Sequence, residues 1–208
     1  MTIQWYGQNI FTITNKEVRV VTVGTPGQTH PKTKEGDLVL LPMKRDLYGE
    51  DSSVLFHENS LIIDGAGESS YKGVTIQARA IKTANEEKIL IYSLSVEGVV
   101  VVTLSSLDRQ LTSEELKLLD SCDVLIIPTG GAGVLDKKGA MEVVNKVEPR
   151  FVIPSYTFVE PSDTLRDQVD AFLKEMGVDE ITKEKKVKIT KSSLPTETTE
   201  CIVLEATV

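Results

Sequence analysis

The stretch from Cys122 to Phe158, CDVLIIPTGGAGVLDKKGAMEVVNKVEPRFVIPSYTF, constrains the fold more than any other part of the chain. Val124 to Ile127 is an apolar, β-branched run of the length of a fully buried strand, and Thr129-Gly130-Gly131-Ala132-Gly133 cannot continue it. Asp136 is placed to cap the free N–H groups of a following helix. Ala140, Val143, Val144 and Val147 stand at i, i+3, i+4 and i+7, so they share one face of that helix and pack it on a sheet. Pro149 ends the helix, and Phe151 to Ile153 form a second buried strand. The unit is therefore strand, helix, strand, with both strands in one sheet. Tyr156 stands just past the C-terminal end of the second strand, where layered α/β folds usually build their sites.

The first hundred residues read mostly as strands. Ile3 to Tyr6, Ile10 to Thr14 and Val18 to Val23 are separated by turn residues and predict a meander. Leu38 to Leu41, Leu61 to Asp64, Val74 to Ala80, Ile89 to Val96 and Val99 to Leu104 follow, the last two joined by a tight turn at Glu97-Gly98. Thr112 with Glu115 forms a capping box for a short helix through Leu119. Leu165, Val169, Phe172 and Met176 mark another helix that stops at Gly177, and strands at Val187 to Thr190 and Cys201 to Glu205 close the chain. Two groups of strands with helices on the outer faces give a four-layered αββα sandwich, an α/β fold of two mixed sheets in one domain over residues 1–208.

Charge and cysteine usage narrow the function classes. A net charge of −8 and a pI near 4.9 speak against a nucleic-acid or anionic-membrane surface. No stretch approaches the roughly 20 apolar residues of a bilayer span, and the chain runs straight into MTIQWYG without a basic, apolar leader, so a cytoplasmic protein is expected. Cys122 and Cys201 are isolated beside predicted strands and read as buried thiols rather than a disulfide framework.

WYGQNIFTI near the start, IIDGAGESSYKGV in the middle, LTSEELKLLDSCDVLIIPTGGAGVLD after it and EPRFVIPSYTF later resemble the landmarks of the metallo-β-lactamase superfamily. More narrowly they are similar to its small cytoplasmic Zn-dependent hydrolases of the L-ascorbate-6-phosphate lactonase-like branch. The likeness covers nearly the whole chain and implies that family's sandwich.

The same resemblance implies that the catalytic metal site has gone. Where the family carries its His-x-His-x-Asp-His loop, this chain has Met43, Arg45 and Tyr48 in place of histidines and Leu47 in place of the aspartate. Thr103 replaces a histidine and Ser106 the metal-bridging carboxylate at a later strand end; Tyr156 replaces the last histidine and Gln8 the histidine of the opening motif. Zinc requires three or four imidazole, thiolate or carboxylate donors, and Arg45 would put a permanent cation beside any divalent ion. No cofactor is expected, although the family would use Zn or Mn. The two histidines, His30 and His57, match no metal motif and read as loop residues.

Asp46, Glu50 and Asp51 would offer oxygen ligands of the kind that suit Ca²⁺ or Mg²⁺, but they read as a solvated loop. Ser105, Ser106, Asp108, Ser155 and Tyr156 fall near one rim of the resembling fold, yet neither histidine is placed to make a nucleophilic pair with them. Gly130 to Gly133 serve as a turn, since no Gly-Lys-Ser/Thr follows. What is left is a pocket with Met43, Leu47 and Tyr48 as an apolar floor. Its rim comprises Gln8, Lys44, Asp46, Ser105, Arg109, Gly130 and Gly131, with Lys44, Arg45 and Arg109 supplying positive charge. An alternative is a pocket filled by Tyr48, Arg45 and Tyr156. The expected function is that of an inactive family member binding a small ligand or a protein partner, as a homodimer. The alternative is a metal-dependent hydrolase of a lactone or phosphorylated small molecule, built on Asp46, Glu50, Asp51 and His57.

Overall fold

The computed structural model describes residues 1–26, 31–49, 56–130, 133–155, 163–178 and 182–207. His30, Glu50, Asp51, Gly131 and Tyr156 lie outside them.

Among the described residues thirteen strands form two sheets. The first carries β1 (Thr2–Trp5), β2 (Phe11–Thr14), β3 (Arg19–Thr22), β4 (Leu38–Leu40), β5 (Leu61–Ile63) and β12 (Val187–Lys188), in the order β12-β1-β2-β3-β4-β5. The second carries β6 (Gly67–Tyr71), β7 (Val74–Lys82), β8 (Lys88–Val96), β9 (Val99–Thr103), β10 (Val124–Pro128), β11 (Phe151–Ser155) and β13 (Glu200–Cys201), in the order β13-β11-β10-β9-β8-β7-β6. Both sheets are mixed. The meander β1-β2-β3 is antiparallel and continues in parallel to β4 and β5. The second sheet is antiparallel from β6 to β9 and parallel from β9 through β10 and β11 to β13.

The expected strand, helix, strand unit is present: β10 and β11 are parallel neighbours in register from Val124↔Phe151 to Pro128↔Ser155. Between them lies α2 (Lys137–Val147), where the Gly139 N–H donates to Asp136 Oδ1 at 2.7 Å, with Ala140, Val143 and Val144 on its buried face. The helix ends at Val147 with Glu148 in the left-handed region, ahead of Pro149. The earlier helix α1 (Ser113–Leu116) opens on the expected capping box, both bonds of which are made. In α3 (Asp163–Glu175) Val169, Phe172 and Leu173 are buried, and Gly177 at φ 78° terminates it. α3 packs on α2. The Glu97-Gly98 turn has φ of 52° and 77°, the pair of positive values that joins β8 to β9 in a two-residue hairpin.

Two expectations are corrected. The sequence reading has no strand at Gly67–Tyr71, which the structure shows as the edge strand β6. The closing strands shrink to two residues each, Val187–Lys188 and Glu200–Cys201, and they return one to each sheet.

One apolar cluster joins the sheets, with Ile3, Trp5 and Leu40 from the first and Leu94, Val101 and Ile126 from the second. A smaller one, Val21, Val23, Val39, Leu41 and Phe56, has Tyr48 packed against it. Among the described residues no helix is long and apolar enough to cross a membrane. Cys122 and Cys201 are free thiols; burial raises both, Cys201 to about 12, which keeps them protonated.

Candidate functional site

The parallel strands β9 and β11 end at Thr103 and Ser155, and a turn of the other sheet reaches them. That turn is closed by Tyr6 N–H donating to Ile10 O at 2.8 Å and Ile10 N–H to Gly7 O at 3.0 Å. Gln8 sits at φ 49°, and its carbonyl accepts from Trp5 Nε1 at 2.8 Å. Thr22 Oγ1 donates to the Asn9 carbonyl at 2.8 Å, which fixes the Asn9 backbone.

The Asn9 side chain then spans the sheets. Its Nδ2 donates to Ser106 Oγ at 3.0 Å, and its Oδ1 accepts from Ser155 Oγ at 2.9 Å. Ser155 is buried, and its carbonyl accepts the Thr129 N–H at 2.8 Å, which links β10 to the same point. Two polar atoms beside this bridge, Gln8 Oε1 and Thr129 Oγ1, are buried with no hydrogen-bond partner among the described residues. A second connection runs below it: Ser105, at φ 52° and buried, donates Oγ to Leu90 O at 2.6 Å, and the Leu90 N–H donates to Pro42 O at 2.7 Å. Tyr92 shares one phenolic proton between Leu41 O at 2.6 Å and Ile63 O at 2.9 Å, where β4 and β5 end. Burial pushes its ionisation far above the ordinary tyrosine range, so it is a permanent donor.

The expected pocket residues divide. Gln8, Ser105, Ser106 and the buried Thr103 lie at the strand-end cluster, and Gly130 follows it, its N–H on Leu135 O at 3.1 Å. Lys44, Arg45, Asp46 and Leu47 stand outside on a 3-10 turn, Arg45–Tyr48. Leu47 is 61% exposed, so it lines no apolar floor. Met43 is half-buried. Tyr48 does not fill a pocket either: its hydroxyl donates to Gly24 O at 2.7 Å and its ring meets Phe56 edge-on at 6.1 Å. Burial raises its ionisation as well. Arg45 is exposed, its N–H on Asp64 Oδ2 at 3.2 Å.

Arg109 is not a free rim cation. Its Nε donates to Lys82 O at 2.6 Å, Nη1 to Gln110 O at 2.7 Å and to Glu115 Oε2 at 2.9 Å, and Nη2 to Glu115 Oε1 at 2.7 Å. The guanidinium in turn holds the Glu115 carboxyl at about 2, well below the usual carboxylate range. Asp108 accepts the Ala84 N–H at 2.8 Å. His57 Nδ1 accepts the Asn59 N–H at 3.2 Å, a local turn contact. Among the described residues no three His, Cys, Asp or Glu side chains come together as for a metal ion.

Asn9 was missed by sequence reasoning as a site residue. Its partners lie 97 and 146 residues away, and in WYGQNIFTI it reads only as a turn former.

Several solved structures share this architecture. A protein from Thermotoga maritima assigned as a Zn-dependent hydrolase of the metallo-beta-lactamase superfamily is 22% identical, with 98% of this chain and 99% of that one covered and a TM-score of 0.78. A protein from Parabacteroides distasonis assigned as a metal-dependent hydrolase is 14% identical over 85% of this chain and 90% of that one, at a TM-score of 0.62. Igni18, a metallo hydrolase from the hyperthermophilic archaeon Ignicoccus hospitalis, is likewise 14% identical, covering 91% of this chain and 99% of that one at 0.62. No curated protein matches the chain at a significant level. The family model described as a beta-lactamase superfamily domain matches residues 2–156, so the chain belongs to the beta-lactamase superfamily, and its fold is the metallo-β-lactamase sandwich.

Proposed function

We propose that this protein is a hydrolase-like family member that acts by binding rather than by metal-dependent hydrolysis. The observation that carries the reading is the Asn9 bridge: where two strands of one sheet end against a turn of the other, the converging groups are an amide and two hydroxyls. Amide and hydroxyl groups are poor partners for Zn²⁺, which takes imidazole, thiolate or carboxylate donors, and one amide with two hydroxyls brings none of the carboxylates that anchor Mn²⁺. Met43, Arg45, Leu47, Tyr48, Thr103 and Ser106 supply none of these at the positions the family resemblance assigns to ligands, and Tyr156 is the same by sequence. The residues present do not fit the family's metal centre.

The cluster suits a small polar ligand. Gln8 Oε1 is an acceptor and Thr129 Oγ1 both a donor and an acceptor, and each is buried and without a partner among the described residues. Leaving such a group unpaired costs about 1–3 kcal/mol, which a bound molecule would offset. We place the chain beside the lactonase-like branch by motif order, in the cytoplasm, with a small ligand or protein partner and self-association as a homodimer.

The test is elemental analysis of protein purified without chelator or affinity tag, followed by thermal melts with Zn²⁺ and Mn²⁺. An ion that binds the native state must raise its melting temperature. The expected result is no stoichiometric metal and no shift. One or two metal ions per chain would overturn the reading and favour hydrolysis at a divergent site.

A further inference from the structure

Among the described residues the sheets end on four strands, β12 and β5 in the first and β13 and β6 in the second. β12 and β13 are two residues long and β5 three. Exposed Lys185, Lys186 and Lys188 lie on or beside β12, the kind of charge that keeps an edge unpaired. β6 is longer, Gly67–Tyr71, and carries neither lysine nor proline. Its Gly67, Glu68 and Ser70 are exposed.

The phase of the β6 hydrogen bonds follows from its neighbours. The two-residue turn Lys72-Gly73, at φ 45° and 76°, makes Tyr71 and Val74 a hydrogen-bonded pair. Bonding alternates along an antiparallel ladder, so Ser69 and Gly67 also turn their N–H and C=O groups onto β7, while Glu68 and Ser70 turn theirs outwards. The far side of β7 agrees. There the Thr83 N–H donates to Glu87 O at 2.8 Å, one step past the Lys82↔Lys88 pair, which commits the odd-numbered residues of β7 to β8 and the even-numbered ones to β6.

This edge is complementary to itself. Turned about a two-fold axis at Ser69, a second β6 brings Glu68 opposite Ser70 twice, two hydrogen-bonded pairs of two bonds each that use the outward N–H and C=O groups of both residues. No like charges face each other, as they would in the register that sets Glu68 against Glu68. Gly67 then meets Tyr71 in the closely spaced, non-hydrogen-bonded pair, an aromatic ring over a residue without a side chain. Tyr71 is already held: its hydroxyl donates to Gly36 O at 3.4 Å, and Lys72 Nζ lies 5.2 Å from its ring centroid. Leu61, 36% exposed, opens β5 with its N–H on Asp37 O at 2.9 Å, beside the same turn, and adds apolar surface to that side.

We propose that a second copy of this chain docks here, β6 against β6, so that two seven-stranded sheets become one continuous sheet. The interface rests on the self-association proposed above and gives it a surface, and it shares no residue with the strand-end cluster. Two short strands and a small apolar flank place it at the small, reversible end of the range of interfaces.

Sedimentation velocity on the full chain through the micromolar range tests the assignment. A dimer that dissociates on dilution is expected. Ser70→Pro removes an outward N–H and none of the bonds to β7, so it should leave the chain monomeric with its melting temperature at low concentration unchanged. Ser70→Glu sets a carboxylate against Glu68 in both pairs and should weaken the dimer roughly tenfold. Glu68→Lys in the same chain makes both pairs opposite in charge and should recover it. A monomer at every concentration overturns this interface and the homodimer together. A dimer indifferent to Ser70→Pro, or one weakened by Ser70→Glu and not recovered by Glu68→Lys, overturns the β6 interface alone.

Discussion

Replacing Asn9 by alanine severs a side-chain bridge between the strand ends of the two sheets. Asn9→Ala deletes the bonds to Ser106 at 3.0 Å and from Ser155 at 2.9 Å while leaving the turn itself closed by backbone. The Ser155 hydroxyl, 1% exposed, then has no water to turn to, and a buried polar group stripped of its partner costs about 1–3 kcal/mol. Ser106 is only half-buried and recovers part of its loss from solvent. Together the two give about 3 kcal/mol, or a fall in melting temperature of roughly 6–12 °C for a chain of this length. Urea unfolding measures it directly, and a double-mutant cycle with Ser155→Ala separates bridge from bulk. Once both partners are gone no orphan remains, so the double variant should cost at least about 1 kcal/mol less than the sum of the singles. Additive losses, or an Asn9→Ala change within about 0.5 kcal/mol, would refute the bridge. The wild-type melt should also be indifferent to EDTA; a chelator that lowers it would mean that a metal contributes where the amide is placed here.

Tyr92→Phe removes the proton shared by the Leu41 and Ile63 carbonyls and should destabilise by about 1–2 kcal/mol in the same urea assay, without loss of fold. Glu115, held at about 2 by Arg109, contributes stability that is complete above the ordinary carboxylate range and is lost as pH falls from about 4.5 towards 2. Glu115→Gln should flatten that part of the acid-unfolding profile and lower stability at neutral pH; an unchanged profile would show that the ion pair is not coupled to folding. Leu47→Ser at a 61% exposed position should change stability by less than about 0.5 kcal/mol, whereas a floor residue would cost several times more.

What could be read in the sequence was whatever local chemistry decides. The Asp136 and Thr112 caps, the apolar stripe of α2 and the Glu97-Gly98 hairpin each rest on residues within one turn of one another, and each was legible. Edge strand β6 was not, because GESSY has neither an apolar run nor an alternation and is placed by its pairing with β7. The family likeness aligned residues to the site but not their directions. Leu47 follows Arg45 onto an exposed 3-10 turn, and Tyr48 turns back to Gly24 and Phe56. Arg109 seemed available because its partner lies six residues on, in a Glu115 already committed to the capping box; the carboxylate serves both. Asn9 joins groups that only the finished sandwich brings together.

The separation of core from rim is what would let the fold and its landmarks survive a change of site chemistry. Ile3, Trp5, Leu40, Leu94, Val101 and Ile126 belong to one buried cluster across both sheets, where a single large-to-small change costs about 2–5 kcal/mol. Lys44, Arg45, Asp46 and Leu47 are exposed on a turn beyond β4, where substitutions usually cost less than about 0.5 kcal/mol. Side chains on that turn are therefore free to change while the strands that carry it are not. At the strand ends the constraint is of a third kind: Thr103 and Ser155 are buried, so a replacement there must be small and must find a hydrogen bond. Asn9 meets that requirement for Ser155 from the opposite sheet, which makes the bridge a structural tie and, on the function proposed above, the polar floor on which a ligand would rest.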